Sequence, residues 1–402
     1  MHCTAARARK GQGLPVLAPE VLAHGEQVAA FLRERMDAVG GKLDFAEFMR
    51  LALYAPAWGY YAGGMAKFGA AGDFVTAPEV SPLFARALAK QVAQVLATLG
   101  SHAEVLEFGA GSGVLAVELL LTLEALQCLP ERYLILEVSA GLQAVQRERF
   151  EQAAPHLLER VVWLESWPED FVGVMLGNEV LDAMPLRILE VTAEGAVRLA
   201  VTYDAQGFAW TREASNGEDR QVLDELQAAR GDIFPEGYRV EFHPDLPGWM
   251  AGLAQSLKRG VAVLLDYGAA APELYAAERW MGTLRCHLRH YAHNDPLVYP
   301  GLQDITAWVD FSRVARCAQA SGLDVLGYTM QAHFLLGCGL PEVFEQAFAA
   351  AQREVDRLQL AQGFKTLMMP GEMGERFKVI ALGKQFEAAL SGFGVRDFRE
   401  RL

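Results

Sequence analysis

From residue 103 onward the hydrophobic positions come in short blocks that are apolar almost throughout, separated by longer stretches with helical spacing. The blocks are 103–108, 132–138, 160–164 and 171–176; a helix is predicted over 113–127 and another after Ser139, its N-cap. Strands without polar alternation, joined by helices, predict a parallel sheet covered on both faces. Upstream, 19–38 and 44–55 read as amphipathic helices, the second opened by Asp44 with Glu47 three residues on, a capping-box pattern. A Gly-, Tyr- and Pro-rich stretch over 54–78 predicts a long loop. Ser81-Pro82 then opens a helix to about Leu99.

The alternation stops after residue 185. Residues 186–212 show shorter alternating strands and 219–230 a helix, so 186–245 reads as an α+β insertion. A helix over 246–258, closed by Gly260, and a strand over 261–266 resume the parallel pattern. A polar, aromatic region fills 267–306. Helices are predicted near 308–320 and 341–360, with strands near 323–329 and 376–382.

Composition narrows the classes. The 402 residues are 52% hydrophobic, enough for one large α/β core and a substantial addition. No window approaches 18 uninterrupted apolar residues, so membrane insertion is not expected. A net charge of −14 argues against nucleic-acid binding, which needs clustered Lys and Arg, and suits a basic partner. Five widely spaced cysteines without a C-x-x-C pair read as reduced thiols. The basic start, Met1 to Lys10, has no apolar run after it and is no secretory signal. The expected location is the cytoplasm of a bacterium, or the mitochondrial matrix if the source is eukaryotic.

The chemistry centres on Glu107-Phe-Gly-Ala-Gly-Ser-Gly113, between a strand and a helix. Gly109, Gly111 and Gly113 let the backbone turn sharply and let a flat ligand approach, and the following helix offers free N–H groups. A Walker loop would end in Gly-Lys-Ser/Thr and this one ends in Gly-Val-Leu; a dinucleotide loop prefers G-x-G-x-x-G, and position 114 is Val. An acidic residue, one spacer and G-x-G-x-G suits S-adenosylmethionine (SAM), whose ammonium and sulfonium are cationic and which carries no phosphate. Glu107 beside the turn complements that charge.

Other residues join it by position. Glu137, ending the second strand, is placed to accept from two ribose hydroxyls. Trp167 lies past the third strand, either by the adenine or in the core. Asn178, Glu179 and Asp182 follow the fourth strand, where polar side chains overhang the ligand crevice. Asp73, Thr76 and Glu79 lie before a helix, where acidic residues are also expected for dipole reasons. His287, His290 and His293 are evenly spaced but lack further ligands, so no metal is expected.

The segments GDFVTAPEVSPLF at 72–84, EFGAGSG at 107–113, LEVS at 136–139, NEVLDAMP at 178–185, LLDYG at 264–268, GTLRCHLRHYAHNDPL at 282–297, PGLQDITAWVDF at 300–311 and PGEMGERFKVIALGK at 370–384 together resemble the MidA-like family of class I SAM-dependent methyltransferases. The family's mitochondrial members are arginine methyltransferases needed for respiratory complex I assembly. The resemblance implies a Rossmann-like seven-stranded core with an antiparallel last strand, and cofactor contacts at Thr76, Pro78, Glu79, Gly109, Gly111, Gly113, Glu137, Asn178 and Glu179. The organisation expected is an N-terminal helical and loop cap over 1–100, a core over 101–185 and 246–384 with a lid at 267–306, the insertion at 186–245, and a tail at 385–402. The implied acceptor is an arginine of a protein such as a respiratory-chain subunit. Glu179, Asp182 and Asn178 are the catalytic candidates, the carboxylates pairing with the guanidinium and taking up its proton. Two alternatives stand beside this: the same fold acting on a small molecule or another side chain, and an assembly chaperone that binds SAM.

Overall fold

The apolar blocks become neighbours in one twisted sheet. The structure, a computed structural model, describes residues 13–62 and 76–402. Its central strands are β1 (Glu104–Phe108), β2 (Tyr133–Leu136), β3 (Val161–Leu164), β4 (Phe171–Asn178), β5 (Leu257–Ala269), β6 (Asp324–Met330) and β7 (Phe377–Lys384), in the order β6-β7-β5-β4-β1-β2-β3. β7 runs antiparallel to both its neighbours, and the pairings from β5 to β3 are parallel. A two-residue eighth strand, Val309–Asp310, pairs off this path with the end of β5. The chain goes from β1 outward to β2 and β3, then returns to the other side of β1 as β4. That reversal opens a crevice at the carboxyl ends of β1 and β4, where ligands of open α/β sheets bind.

Burial explains the missing polar alternation. Every residue of β1 is buried, because helices cover both faces. On one face lie α1 (Pro82–Leu99) and α2 (Val114–Ala125), packed through Phe84, Leu88, Leu119 and Leu120; on the other lie Met250, Leu253, Phe311 and Val314 from two later helices. Ser81 caps α1 by accepting from the Leu83 amide at 3.3 Å.

Gly260 departs from expectation. The helix Leu246–Ser256 ends without it, and Gly260 lies inside β5. A Cβ there would stand 2.0 Å from the Gly173 carbonyl oxygen, and a Cβ on Gly173 would stand 1.9 Å from that of Glu104. The glycines permit three adjacent strands to close up across a register shift between Leu257 and Arg259.

Residues 186–245 form antiparallel strands Arg187–Thr192, Gly195–Asp204, Gly207–Ala214 and Arg239–Phe242, with a helix, Gly217–Arg230, opened by an Asn216 capping box. Their sheet takes a fifth strand, Lys42–Asp44, from the N-terminal segment expected to be only helix and loop. Three residues carry no readable alternation. The next helix, Phe45–Tyr54, is capped by Asp44, which accepts from Ala46, and buries Phe45, Phe48 and Met49; Glu47 pairs with Arg50. The expected 341–360 helix is two, Leu340–Ala350 and Glu354–Met368, folded back so that Phe344 meets Phe364 at 4.9 Å. A helix at Gln331–Gly337 was not expected. Region 267–306 contains a three-stranded sheet centred on Arg285–Leu288. Among the described residues no helix is long and apolar enough to cross a membrane.

Candidate functional site

A cavity of about 570 Å³ opens at the crevice. Its floor is the glycine turn. Gly109 and Gly111 have φ of +59° and +54°, the left-handed region that side chains disfavour, and both line the cavity. Gly113 (φ +79°) is the N-cap of α2 and does not reach the wall; a Cβ there would meet the Gln146 backbone at 3.3 Å.

The walls hold most of the predicted residues. Glu107, at the end of β1, accepts from the Tyr133 hydroxyl at 2.7 Å. Burial pushes its carboxyl up to about 7, against the opposing effect of that hydrogen bond. Glu137 follows β2, with its carboxylate accepting from the Ser139 amide at 2.9 Å and from Gln146 Nε2 at 3.3 Å. Gln146 is fully buried; it also donates to the Gly111 carbonyl at 2.9 Å and accepts from Trp163 Nε1 at 2.8 Å. One side chain therefore ties the glycine turn to the strand-end carboxylate. Thr76, Pro78 and Glu79 supply another wall, and the Ser112 hydroxyl donates to Glu79. Asp73 and most of the 54–78 loop lie outside the described residues.

Asn178 and Glu179 form the side facing β1. Asn178 Nδ2 donates to Glu179 Oε1 at 3.0 Å, and the Ala77 amide reaches the same oxygen at 3.4 Å. Glu179 is a non-glycine residue at φ +54°, so the chain leaves β4 by a left-handed step. Burial pushes its carboxyl up to about 8, with the nearby Asp266 charge adding to the effect. Asp182 is buried and does not line the cavity; burial, then the charges of Asp266 and Glu179, hold its carboxyl well above the usual range. Trp167 is also absent from the wall. It packs edge-on to Trp249 at 5.7 Å and against Phe108 at 5.1 Å, and those two rings line the cavity in front of it.

Sequence reading missed the outer part of the cavity. Arg50, Tyr54 and Tyr61 come from the N-terminal segment, Asp245 and Trp249 from the helix start after the insertion. Arg50 Nη2 reaches Asp245 at 2.6 Å, Tyr54 donates to the Ala183 carbonyl at 2.9 Å, and Tyr61 to Asp304 at 2.8 Å. Asp304 and Asp266 are both buried behind this surface. Asp266 closes the apolar run 261–265 within β5, the same sequence signal that picked out Glu137.

The three histidines sit on a hairpin, where His287 pairs with Ala292 and His293 with Cys286. Among the described residues no group of three or more His, Cys, Asp or Glu could hold a metal. The cysteines described, Cys128, Cys286, Cys317 and Cys338, are free thiols.

The acceptor set asks for a ligand rich in donors and positive charge. Asn178 Oδ1 is buried with no hydrogen-bond partner among the described residues. Glu107, Glu137 and Glu179 present acceptors around the same space, and a bare glycine turn leaves room for a flat group.

Comparison with known proteins agrees with this chemistry. Residues 87–329 match a family model described as "Putative S-adenosyl-L-methionine-dependent methyltransferase". Over 372 residues the chain is 30% identical to the mitochondrial protein arginine methyltransferase NDUFAF7 homolog of Drosophila melanogaster, covering 85% of this chain and 82% of that one. It is 29% identical over 376 residues to human protein arginine methyltransferase NDUFAF7, covering 85% and 80%. A crystal structure of a "likely methyl transferase" from Burkholderia thailandensis, bound to S-adenosyl-homocysteine, is 42% identical and superposes with a TM-score of 0.90 over 97% of this chain and 100% of that one.

Proposed function

Since the chain belongs to the family of S-adenosyl-L-methionine-dependent methyltransferases, we propose that it methylates an arginine guanidinium of a protein, with a respiratory-chain subunit as the leading candidate. The cofactor is SAM, and when bound it supplies a methyl group on a positively charged sulfur. Gly109 and Gly111 would hold it by close backbone approach, Glu137 by accepting from hydroxyls, and Glu107, Asn178 and Glu179 by accepting from cationic donors.

One observation carries the choice of acceptor. On the Asn178–Asp182 side the cavity is backed by Glu179, Asp182, Asp266 and Asp304. Arg50 is the sole Lys or Arg lining the cavity among the described residues, and it is engaged by Glu47 and Asp245. A guanidinium is protonated at any working pH and presents a planar fork of donors. Glu179 can pair with that fork and orient one nitrogen, and positioning of this kind lowers the barrier without any covalent step. Burial raises the Glu179 carboxyl and bound cations favour its ionised form, so the carboxylate present in the complex can take the proton released as the acceptor nitrogen reacts. The relatives named as arginine methyltransferases support the same reading. A bacterial cytoplasmic location, or the matrix in a eukaryote, goes with it.

The test separates acceptor classes. The full chain is incubated with methyl-labelled SAM and a lysate of its source, and the products are divided by size. Label in protein that hydrolyses to methylarginine supports the proposal. Label in the small-molecule fraction favours the same fold acting on a metabolite, and tight SAM binding without transfer favours a chaperone.

A further inference from the structure

The turn that presents Glu179 is held from the neighbouring strand β5, which is distant in sequence. Glu179 continues the parallel ladder through its amide, which donates to the Leu265 carbonyl at 2.9 Å, before its left-handed step. The next three amides, of Val180, Leu181 and Asp182, all point at one oxygen of Asp266, at 3.1, 2.8 and 3.2 Å. The other oxygen of Asp266 accepts from the Tyr267 amide at 2.9 Å. Asp266 is 1% exposed, so bulk solvent does not compete with these amides for it. No helix forms over 179–185; consecutive backbone amides converge on a carboxylate as they do in anion-binding nests. We propose that Asp266 is the positioning residue of the active-site turn. It fixes the path of 179–182 and thereby aims the Glu179 carboxylate into the cavity.

The geometry excludes a merely space-filling role. Removing the carboxylate leaves three buried amides without an acceptor and the left-handed Glu179 without its anchor. An asparagine keeps one acceptor oxygen for the turn and loses the charge and the Tyr267 contact. A leucine is branched like aspartate but larger, and loses every acceptor. Asp266→Asn, which matches aspartate in size, therefore separates hydrogen-bond acceptance and charge from space filling.

The consequence for binding rests on the proposed role of Glu179, so the test reads the two separately. Hydrogen exchange followed by mass spectrometry is measured on the full chain for wild type, Asp266→Asn and Asp266→Leu, with S-adenosyl-homocysteine affinity by calorimetry. In Asp266→Leu the amides of 180–182 should exchange at least about tenfold faster, the order expected for losing charge-assisted bonds. β1 and β7 should stay protected. Asp266→Asn should recover part of that protection and of the affinity. Unchanged protection at 180–182 in both variants, or equal loss in Asn and Leu, overturns the assignment. Faster exchange with wild-type affinity supports Asp266 as the anchor and contradicts the cofactor role of Glu179. If the leucine variant does not fold, Asp266→Asn alone decides, since its turn amides must still exchange faster than wild type.

Discussion

At the scale of single residues the site is a set of buried acceptors that a cation completes. Glu179, held near 8, keeps its proton in the cofactor-free protein at neutral pH, and Glu107, held near 7, keeps its proton in part. A cationic ligand favours their ionised forms, so SAM binding should release protons, and affinity should rise from about pH 6 to about pH 8. Calorimetry in buffers of different ionisation enthalpy measures the release directly; a pH-independent affinity with no proton release would count against the site. Gly111→Val tests the floor of the cavity. A β-branched residue at φ +54° is strained, and its side chain enters the cavity space, so SAM binding should become undetectable by calorimetry. The glycine turn and its leading carboxylate were legible in the sequence because they are contiguous. Asp266 was not linked to the turn, because 84 to 86 residues separate it from the amides it receives. The Arg50–Asp245 pair spans 195 residues and leaves no local trace.

At the scale of elements, the strands announced themselves by apolar runs, and the exceptions have specific causes. Gly260 looks like a helix terminator because glycine commonly follows helices, yet here it answers to strand spacing. Gly173→Ala is the sharper test: a methyl 1.9 Å from the Glu104 carbonyl oxygen forces β4 and β1 apart. The cost should reach about 3 kcal/mol or more, within the range for strained or overpacked sites, read as a lower denaturant midpoint. The strand Lys42–Asp44 was invisible in isolation and forms because a partner edge awaits it. Asp44 then caps a helix and meets Arg187 at 2.9 Å and Arg198 at 3.7 Å. Asp44→Ala should destabilise the protein by about 2 kcal/mol, combining a lost cap with two guanidinia left short of a partner.

At the scale of the whole molecule, the buried carboxylates make stability depend on pH. Glu107, Glu179 and Asp266 have folded values of about 7, 8 and 7, above their unfolded values. Their contribution is full below the unfolded values and is lost as pH rises through the folded ones. His243 shifts the opposite way, to about 4 by burial, so its contribution is lost only as pH falls below 6.5. Between pH 6.5 and 8.5 the carboxylates alone act, and the Tm of the cofactor-free protein should fall across that window. Saturating SAM should flatten the fall, since a bound cation compensates the ionised groups.

The claim on which the account turns is that Glu179 serves transfer to arginine. Methylarginine formed from labelled SAM is therefore quantified for wild type and for Glu179→Gln, which keeps the side chain's size and removes its charge and proton-accepting capacity. Labelled methylarginine is expected with wild type, and at least about a hundredfold less with the variant, the scale of a lost general base. Equal labelling by both proteins would contradict it, as would wild-type protein that binds SAM tightly and leaves every arginine unlabelled.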